Sequence, residues 1–515
     1  MPRELELKLE IAPCDVERLR RHPLLACAEM SVEQQESTYF DTPKRRLRRA
    51  GFSLRVRRSG KTITQTVKRQ GDGAGLFDRA EWESPVRRML PDVAAALATP
   101  LGDVLSEKRA ARLAPAVRMR IQRKAWDVDD SASRIEVAAD SGTLVAGDFA
   151  EPVSELELEL KSGPDSALFD FCEALAKVVP LRLGVLSKAD RALALADGRF
   201  GKIAKAPDVH LSADMTVSDA FAAIVQSCIK HFRLNEPVLV ERQEPEALHQ
   251  MRVALRRLRS ALVLFKPIVG HDAEIARIRK DLRWIGRMLG QARNLDVFSE
   301  GLGEAAAELP RLRHKRDEHY ARIVVALDSR RFLKLMLRIV RWLAICAWRE
   351  QESARREIGG FLDHRIDAAW DLVAERDVPL EDMSEEQRHA LRIDIKKLRY
   401  AVEFAKSLHA DHRLKAKRFG SAIDALQDEL GALNDMTIAR PLARKYLGEA
   451  SDEEELSRAH LSKAQSEFAR LLAIGPYWRP ATRRPEAGAA RRRASAKRPA
   501  VSRMRGLRSG GFARG

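Results

Sequence analysis

A chain of 515 residues is too long for a single hydrophobic core, which stops growing near ~250 to 300 residues, so at least two domains are expected. Its 45% hydrophobic and 32% charged residues exclude a disordered or fibrous chain, and 6% aromatic residues is thin for a protein that grips bases by stacking. Lys and Arg outnumber Asp and Glu by 92 to 74, and residues 476–515 alone hold twelve of those cations against one acid, Glu486.

The opening segment, MPRELELKLEI, carries a charge at nearly every second position, which excludes a signal-peptide core. From there to about residue 200 the apolar period is two, as in strands whose side chains alternate between faces. Strands are predicted at 5–11, 51–58, 62–68, 79–83, 117–124, 134–138, 143–146 and 154–161, with helices at 13–25, 92–97 and 165–179. Eight short strands interrupted by helices predict an α+β domain over 1–200, built on a barrel or curled sheet. Residues 201–213 lack apolar periodicity and read as a linker, and from 214 to 475 the period is helical. The most apolar run, 333–348, is broken by Lys334, Arg338 and Arg341, short of the ~20 residues a membrane crossing needs, so a soluble cytoplasmic protein is expected. Residues 476–515 have too few apolar groups to offset the entropy of ordering and are expected to be disordered. Five cysteines stand far apart with no CxxC pair, which favours reduced thiols.

The predicted strands segregate their charges. Glu4, Glu6, Lys8 and Glu10 alternate with Leu, as do Glu155, Glu157, Glu159 and Lys161, while Arg55, Arg57, Lys68, Arg118 and Arg120 make other strands basic. If the sheet curls with these faces inward, acidic and basic strands oppose each other across a lumen. Mg²⁺ or Mn²⁺ suits the carboxylates, since hard cations take oxygen ligands, and a phosphate chain suits the Arg and Lys. A sheet of solvent-facing salt bridges, each worth about 0 to 1 kcal/mol, does not explain why eight strands share the habit.

In chain order, Glu4-x-Glu6-x-Lys8, Tyr39-Phe-Asp-Thr-Pro43, Leu54-Arg-Val-Arg57, Lys68, Arg79-x-Glu81, Arg118-x-Arg120, Asp140-Ser-Gly142, the Glu155 strand and Ser187-Lys188 resemble the CYTH superfamily, the triphosphate tunnel metalloenzymes, over about 1–197. The resemblance implies an eight-stranded antiparallel barrel, or tunnel. In it Glu4, Glu6 and two of Glu155, Glu157 and Glu159, with Asp140 beside a turn, hold one or two divalent ions. Lys8, Arg55, Arg57, Lys68, Arg118, Arg120 and Lys188 grip the phosphates. The activity implied is metal-dependent hydrolysis of inorganic triphosphate to phosphate and pyrophosphate. Nucleotidyl cyclase and thiamine triphosphatase are the rival activities of such a barrel.

The helical half holds an internal repeat. His249-Gln-Met-Arg252-Val-Ala-Leu-Arg256-Arg257-Leu-Arg259 recurs 140 residues later as His389-Ala-Leu-Arg392-Ile-Asp-Ile-Lys396-Lys397-Leu-Arg399, and the 289–296 segment LGQARNLD answers LGALND at 430–435. In each copy His and three cations share a helix face within about 80°, beside an apolar stripe. Cations so close repel unless solvated or neutralised, and their recurrence points to a bound polyanion. Two lone histidines without HxxxH or Cys do not make a metal site. These helices resemble the CHAD domain over about 214–472, which implies two repeated four-helix units enclosing a basic pore for inorganic polyphosphate. Asn294 stands where an acid is expected, and Asp296 and Asp435 are placed to orient the cations. The helical half would dock polyphosphate, feeding the barrel or holding the enzyme on polyphosphate granules. A non-catalytic polyphosphate-binding protein is the alternative from another class. Nucleic acid is expected to bind only through the basic tail.

Overall fold

The computed structural model describes residues 4–69, 73–130, 132–270, 272–301, 309–376, 378–446 and 454–479. Ten strands form one antiparallel sheet: β1 (Glu4–Ile11), β2 (Met30–Asp41), β3 (Phe52–Ser59), β4 (Thr62–Arg69), β5 (Leu76–Arg79), β6 (Glu81–Pro85), β7 (Ala114–Asp129), β8 (Arg134–Ala146), β9 (Phe149–Ser162) and β10 (Leu181–Leu183). Their order is β10-β1-β9-β8-β7-β2-β3-β4-β6, and β5 pairs with β1. Because β5 and β6 are separated only by Ala80, one segment pairs with β4 at one end and with β1 at the other. The hydrogen-bond path therefore returns to β1, and the sheet curls around a lumen.

The expected eight strands become ten: the predicted strand at 79–83 divides into β5 and β6 at Ala80, and β10 is added. The polar stretch 30–41, not anticipated as a strand, is the 12-residue β2, and the separate strands at 134–138 and 143–146 are one 13-residue strand, β8. Asp140 thus lies mid-strand and not in a turn. Gly142 is required there because a Cβ would stand 2.0 Å from the Arg120 carbonyl oxygen.

Helix α1 (Asp165–Leu175) packs its apolar face on the outer leucines of β1 and β9, and α2 (Lys188–Ala196) enters one end of the lumen. The helical half follows as α3 (Val217–Arg242), α4 (Pro245–Leu264), α5 (Ala273–Gly301), α6 (Leu309–Leu327), α7 (Arg330–Ile345), α8 (Ile358–Ala374), α9 (Glu385–Ala405), α10 (Arg413–Tyr446) and α11 (Glu454–Ile474). Helices α4 and α9, which carry the two copies of the repeat, pack on each other, with α5 against α4 and α10 against α9.

One apolar cluster runs from Leu5, Leu7 and Leu9 of β1 through α1 into Phe221, Phe232 and Trp342 of the helical half. The expected linker is part of it: Val209 and Leu211 are buried, and Ser407 bonds both backbone groups of Leu211. At the far end Trp478, read as tail, is buried and donates to Asp367 at 2.7 Å. Residues 480–515, the rest of the expected disordered tail, lie outside the described residues. Among the described residues no helix is long and apolar enough to cross a membrane.

Candidate functional site

Directly paired residues of antiparallel strands share a face, so the register identifies what lines the lumen. One row joins Glu6, Glu159 and Glu136; the next joins Lys8, Glu157 and Ala138; a third joins Glu155, Asp140 and Arg123. Opposite them, Arg55 aligns with Tyr39, Thr66 and Glu83, Arg57 with Ser37, and Lys68 with Ser53 and Glu81. These rows enclose a cavity of about 590 Å³, lined by Lys8, Arg55, Arg57, Lys68, Arg123, Lys161 and Lys188 against Glu6, Glu81, Glu83, Glu136, Glu157 and Glu159.

Local structure fixes several of these groups. Lys188 opens α2 behind a capping box: the Ser187 hydroxyl accepts from the Asp190 amide at 3.1 Å, and the Asp190 carboxylate accepts from the Ser187 amide at 3.2 Å. In the Tyr39-to-Pro43 motif, Asp41 accepts from the amides of Leu47 at 3.0 Å and Arg48 at 3.2 Å, which anchors the end of β2 beside Tyr39.

Beneath the cavity three carboxylates meet three cations. Carboxylate oxygens of Asp140, Glu155 and Glu157 lie within 4.8 Å of one another. Lys188 reaches Asp140 at 2.7 Å and Glu157 at 2.8 Å and pairs with Glu155; Arg123 forks onto Asp140 at 2.8 and 2.7 Å and also bonds Glu157; Lys8 bonds Glu157 and, at 2.7 Å, Glu6. Burial alone would push the Glu157 carboxyl up, but Lys188, Lys8 and Arg123 overcome it and hold this carboxyl well below the usual range. Burial likewise opposes the charge on Lys8, yet Glu157 and Glu6 hold its ammonium above the ordinary lysine value.

Across the lumen Lys68 pairs with Glu81 at 2.5 Å, and Arg55 lies 3.8 Å from Glu81 and donates to Thr66 at 3.1 Å. Arg57 differs. Among the described residues no carboxylate lies within ion-pair distance of it, and burial with Arg55 and Arg123 nearby pulls its guanidinium down to about 10; its Nε, like that of Arg55, is buried without a hydrogen-bond partner.

The sequence-derived residues sort accordingly. Glu6, Lys8, Arg55, Arg57, Lys68, Glu157, Glu159 and Lys188 line the cavity, and Asp140 and Glu155 lie in the network beneath it. The side chains of Glu4 and Arg79 lie outside the described residues. Arg118 and Arg120 are a correction: both are exposed on the outer face, because Val117, Met119 and Ile121 turn inward onto Ala189, Ala192 and Leu193 of α2. Their place on β7 is taken by Arg123, which was not anticipated, and Glu136 and Lys161 also join the lining. Counting by twos from Ile121 would have pointed to Arg123, and from Asp140 to Glu136.

Oxygen-only donors fit a hard divalent cation. The Asp140 group is already neutralised by three cations, whereas among the described residues Glu6, Glu136 and Glu159 pair only with Lys161, at 3.2 Å from Glu136 and 2.7 Å from Glu159, and with the shared Lys8.

In the helical half, α4 and α9 turn His249, Arg252, Arg256, Arg392 and Lys396 toward one another, joined by Arg293 of α5 and Asp435 of α10. Burial, with Arg392 and Arg256 beside it, pulls the Lys396 ammonium down to about 7. Gly290 makes room for Arg252, whose Nη1 lies 2.8 Å from where a Cβ would stand. The other expected anion-binding residues lie elsewhere or are engaged. Arg257 is fully buried, 2.8 Å from Glu403 and bonded to the Pro207 carbonyl; Lys397 pairs with Asp394 and Arg399 with Asp424; Arg259 and His389 are exposed.

Comparison with known proteins follows the same division. A CYTH domain model matches residues 2–193 and a CHAD domain model matches residues 223–444. The chain carries a CYTH domain followed by a CHAD domain. It is 32% identical over 208 residues to an inorganic triphosphatase of Haemophilus influenzae, an alignment covering 39% of this chain and 57% of that one, so the chain spans little more than half of this relative. The CHAD region is similar to the crystal structure of the CHAD domain from the plant Ricinus communis, at 27% identity and a TM-score of 0.43, covering 53% of this chain and 96% of that one. PptA from Streptomyces chartreusis is similar at 18% identity and a TM-score of 0.33, covering 50% of this chain and 96% of that one.

Proposed function

We propose that the CYTH tunnel hydrolyses inorganic triphosphate with a divalent cation and that the CHAD domain binds inorganic polyphosphate. The observation that carries the first half is the cavity lining, where cations from β1, β3, β4, β7 and α2 surround a space large enough for a linear triphosphate. Phosphoryl transfer asks mainly for positioning and charge neutralisation, and these groups offer both. Glu6, Glu136 and Glu159 would hold Mg²⁺ or Mn²⁺, which when bound neutralises charge on the transferred phosphoryl and lowers the pKa of an attacking water. Arg57, free of carboxylate partners among the described residues, would grip the chain first, while Asp140, Glu155 and Glu157 hold Lys8, Lys188 and Arg123 in place. The resemblance of the CYTH half to an inorganic triphosphatase supports this reading.

The test is incubation of the full chain and Mg²⁺ or Mn²⁺ with triphosphate, ATP and thiamine triphosphate. Phosphate and pyrophosphate from triphosphate is the expected result; cyclic nucleotide from ATP, or preference for thiamine triphosphate, would refute it. For the CHAD half, replacing Arg252, Arg256, Arg392 and Lys396 by Glu should abolish retention of polyphosphate.

A further inference from the structure

We propose that Asp435 is the resident counter-charge of the CHAD cation cluster, the group an incoming polyanion must work against, and that it limits how tightly the chain is held. The inference rests on the polyphosphate reading above. Aligning the copies on Leu289-Gly290 and Leu430-Gly431 sets Arg293 against Asn434 and Asn294 against Asp435, so one copy offers a cation where the other offers an anion a residue later. The nearest acid of the first copy is not equivalent. Asp296 also faces Arg252, but it is buried and its carboxylate is taken up by Arg316 at 2.8 Å and the Tyr320 hydroxyl at 2.9 Å. Asp435 is exposed on α10, which packs against α9 and α5; among the described residues it accepts only a long 3.5 Å side-chain bond from Asn434 and makes no direct ion pair, so its charge acts at a distance on Arg252 of α4 and on Arg392 and Lys396 of α9. Within that cation cluster the Nε atoms of Arg256 and Arg392 are buried without partners. Phosphate oxygens would satisfy those donors, and each phosphate close enough to do so is repelled by Asp435.

The experiment is calorimetric titration of the full chain with long-chain polyphosphate across a salt series at pH 6, where Lys396 is charged before binding. Asp435→Asn should bind about tenfold tighter at low salt, the effect of removing one like charge from a partly screened site, with a steeper salt dependence. Asp435→Glu should stay near the parent, and Asp296→Asn should lower the melting temperature without tightening binding. Unchanged or weaker binding by Asp435→Asn, with the parent binding well, overturns the counter-charge role alone. A parent chain that does not bind polyphosphate overturns this inference and the reading beneath it.

Discussion

Arg57 and Arg55 stand two residues apart on one strand face, yet they differ in what they can give a phosphate. Both leave a buried Nε unpartnered, but Arg55 is balanced by Glu81, Glu83 and Thr66, whereas Arg57 has no carboxylate within ion-pair distance among the described residues and has repulsive neighbours. A charge-assisted hydrogen bond contributes about 1.5 to 3 kcal/mol, so Arg57→Met should raise the KM for triphosphate roughly ten- to a hundredfold, and more than Arg55→Met does. Steady-state kinetics on both variants checks this. Lys396 gives a second outcome at this scale. Its folded pKa is about 7 against an ordinary 10.5, so between those values the unfolded chain holds more protons. Its cost to folding is full below pH 7 and fades as pH rises toward 10.5. A bound polyanion favours the charged form, so polyphosphate binding at pH 8 should take up a proton, and Lys396→Met should abolish the uptake. Calorimetry in two buffers of different ionisation enthalpy reads it. Sequence spacing was enough to place Glu6, Lys8 and Arg57 on one face. Which of the cations lacks a partner is settled by strands far apart in the chain, and spacing carries no trace of it.

At the scale of the element, β7 explains the one inverted face. The rule that charged positions point into the lumen holds where the lumen is wet, but α2 fills one end of it, and there Val117, Met119 and Ile121 are the inward residues. Arg118-x-Arg120 looked like the paired cations of β3 because the helix that reverses the burial lies about 70 residues downstream. Strand β2 was overlooked for a related reason: Ser31 to Gln34 are exposed on both faces, so no apolar alternation marks its first half. The helical repeat was legible because both copies keep their cations on one face beside a buried stripe. It predicts an asymmetric result. Gly290→Ala should raise helix stability by about 0.5 to 1 kcal/mol yet weaken polyphosphate binding, because its methyl displaces the tip of Arg252. Gly431→Ala meets open space and should gain stability without losing affinity, as thermal melts and titrations of the two variants would reveal.

Across the whole molecule, the two domains share one core and a buried set of charges. Arg233 of α3 is 4% exposed; it donates to the Leu183 carbonyl at 2.9 Å and to Glu10 at 3.0 Å, and pairs with the fully buried Glu236. Arg341 adds a tie to Asp170 at 2.7 Å. Removing one partner of a buried pair costs about 3 to 5 kcal/mol, so Arg233→Met should lower the urea midpoint of the full chain, and adding Glu236→Gln should restore much of it. Residues 201–213 carried no apolar period and so read as a free tether; their two buried side chains, Val209 and Leu211, form no repeat that a period could reveal.

The proposed catalysis in this tunnel depends on which face of each strand lines the lumen, and β7 discriminates most sharply. Initial rates of triphosphate hydrolysis with Mg²⁺ should fall at least a hundredfold in Arg123→Met and stay within about twofold of the parent in Arg118→Met with Arg120→Met. The reverse pattern, an active Arg123→Met and an inactive double variant, would contradict it.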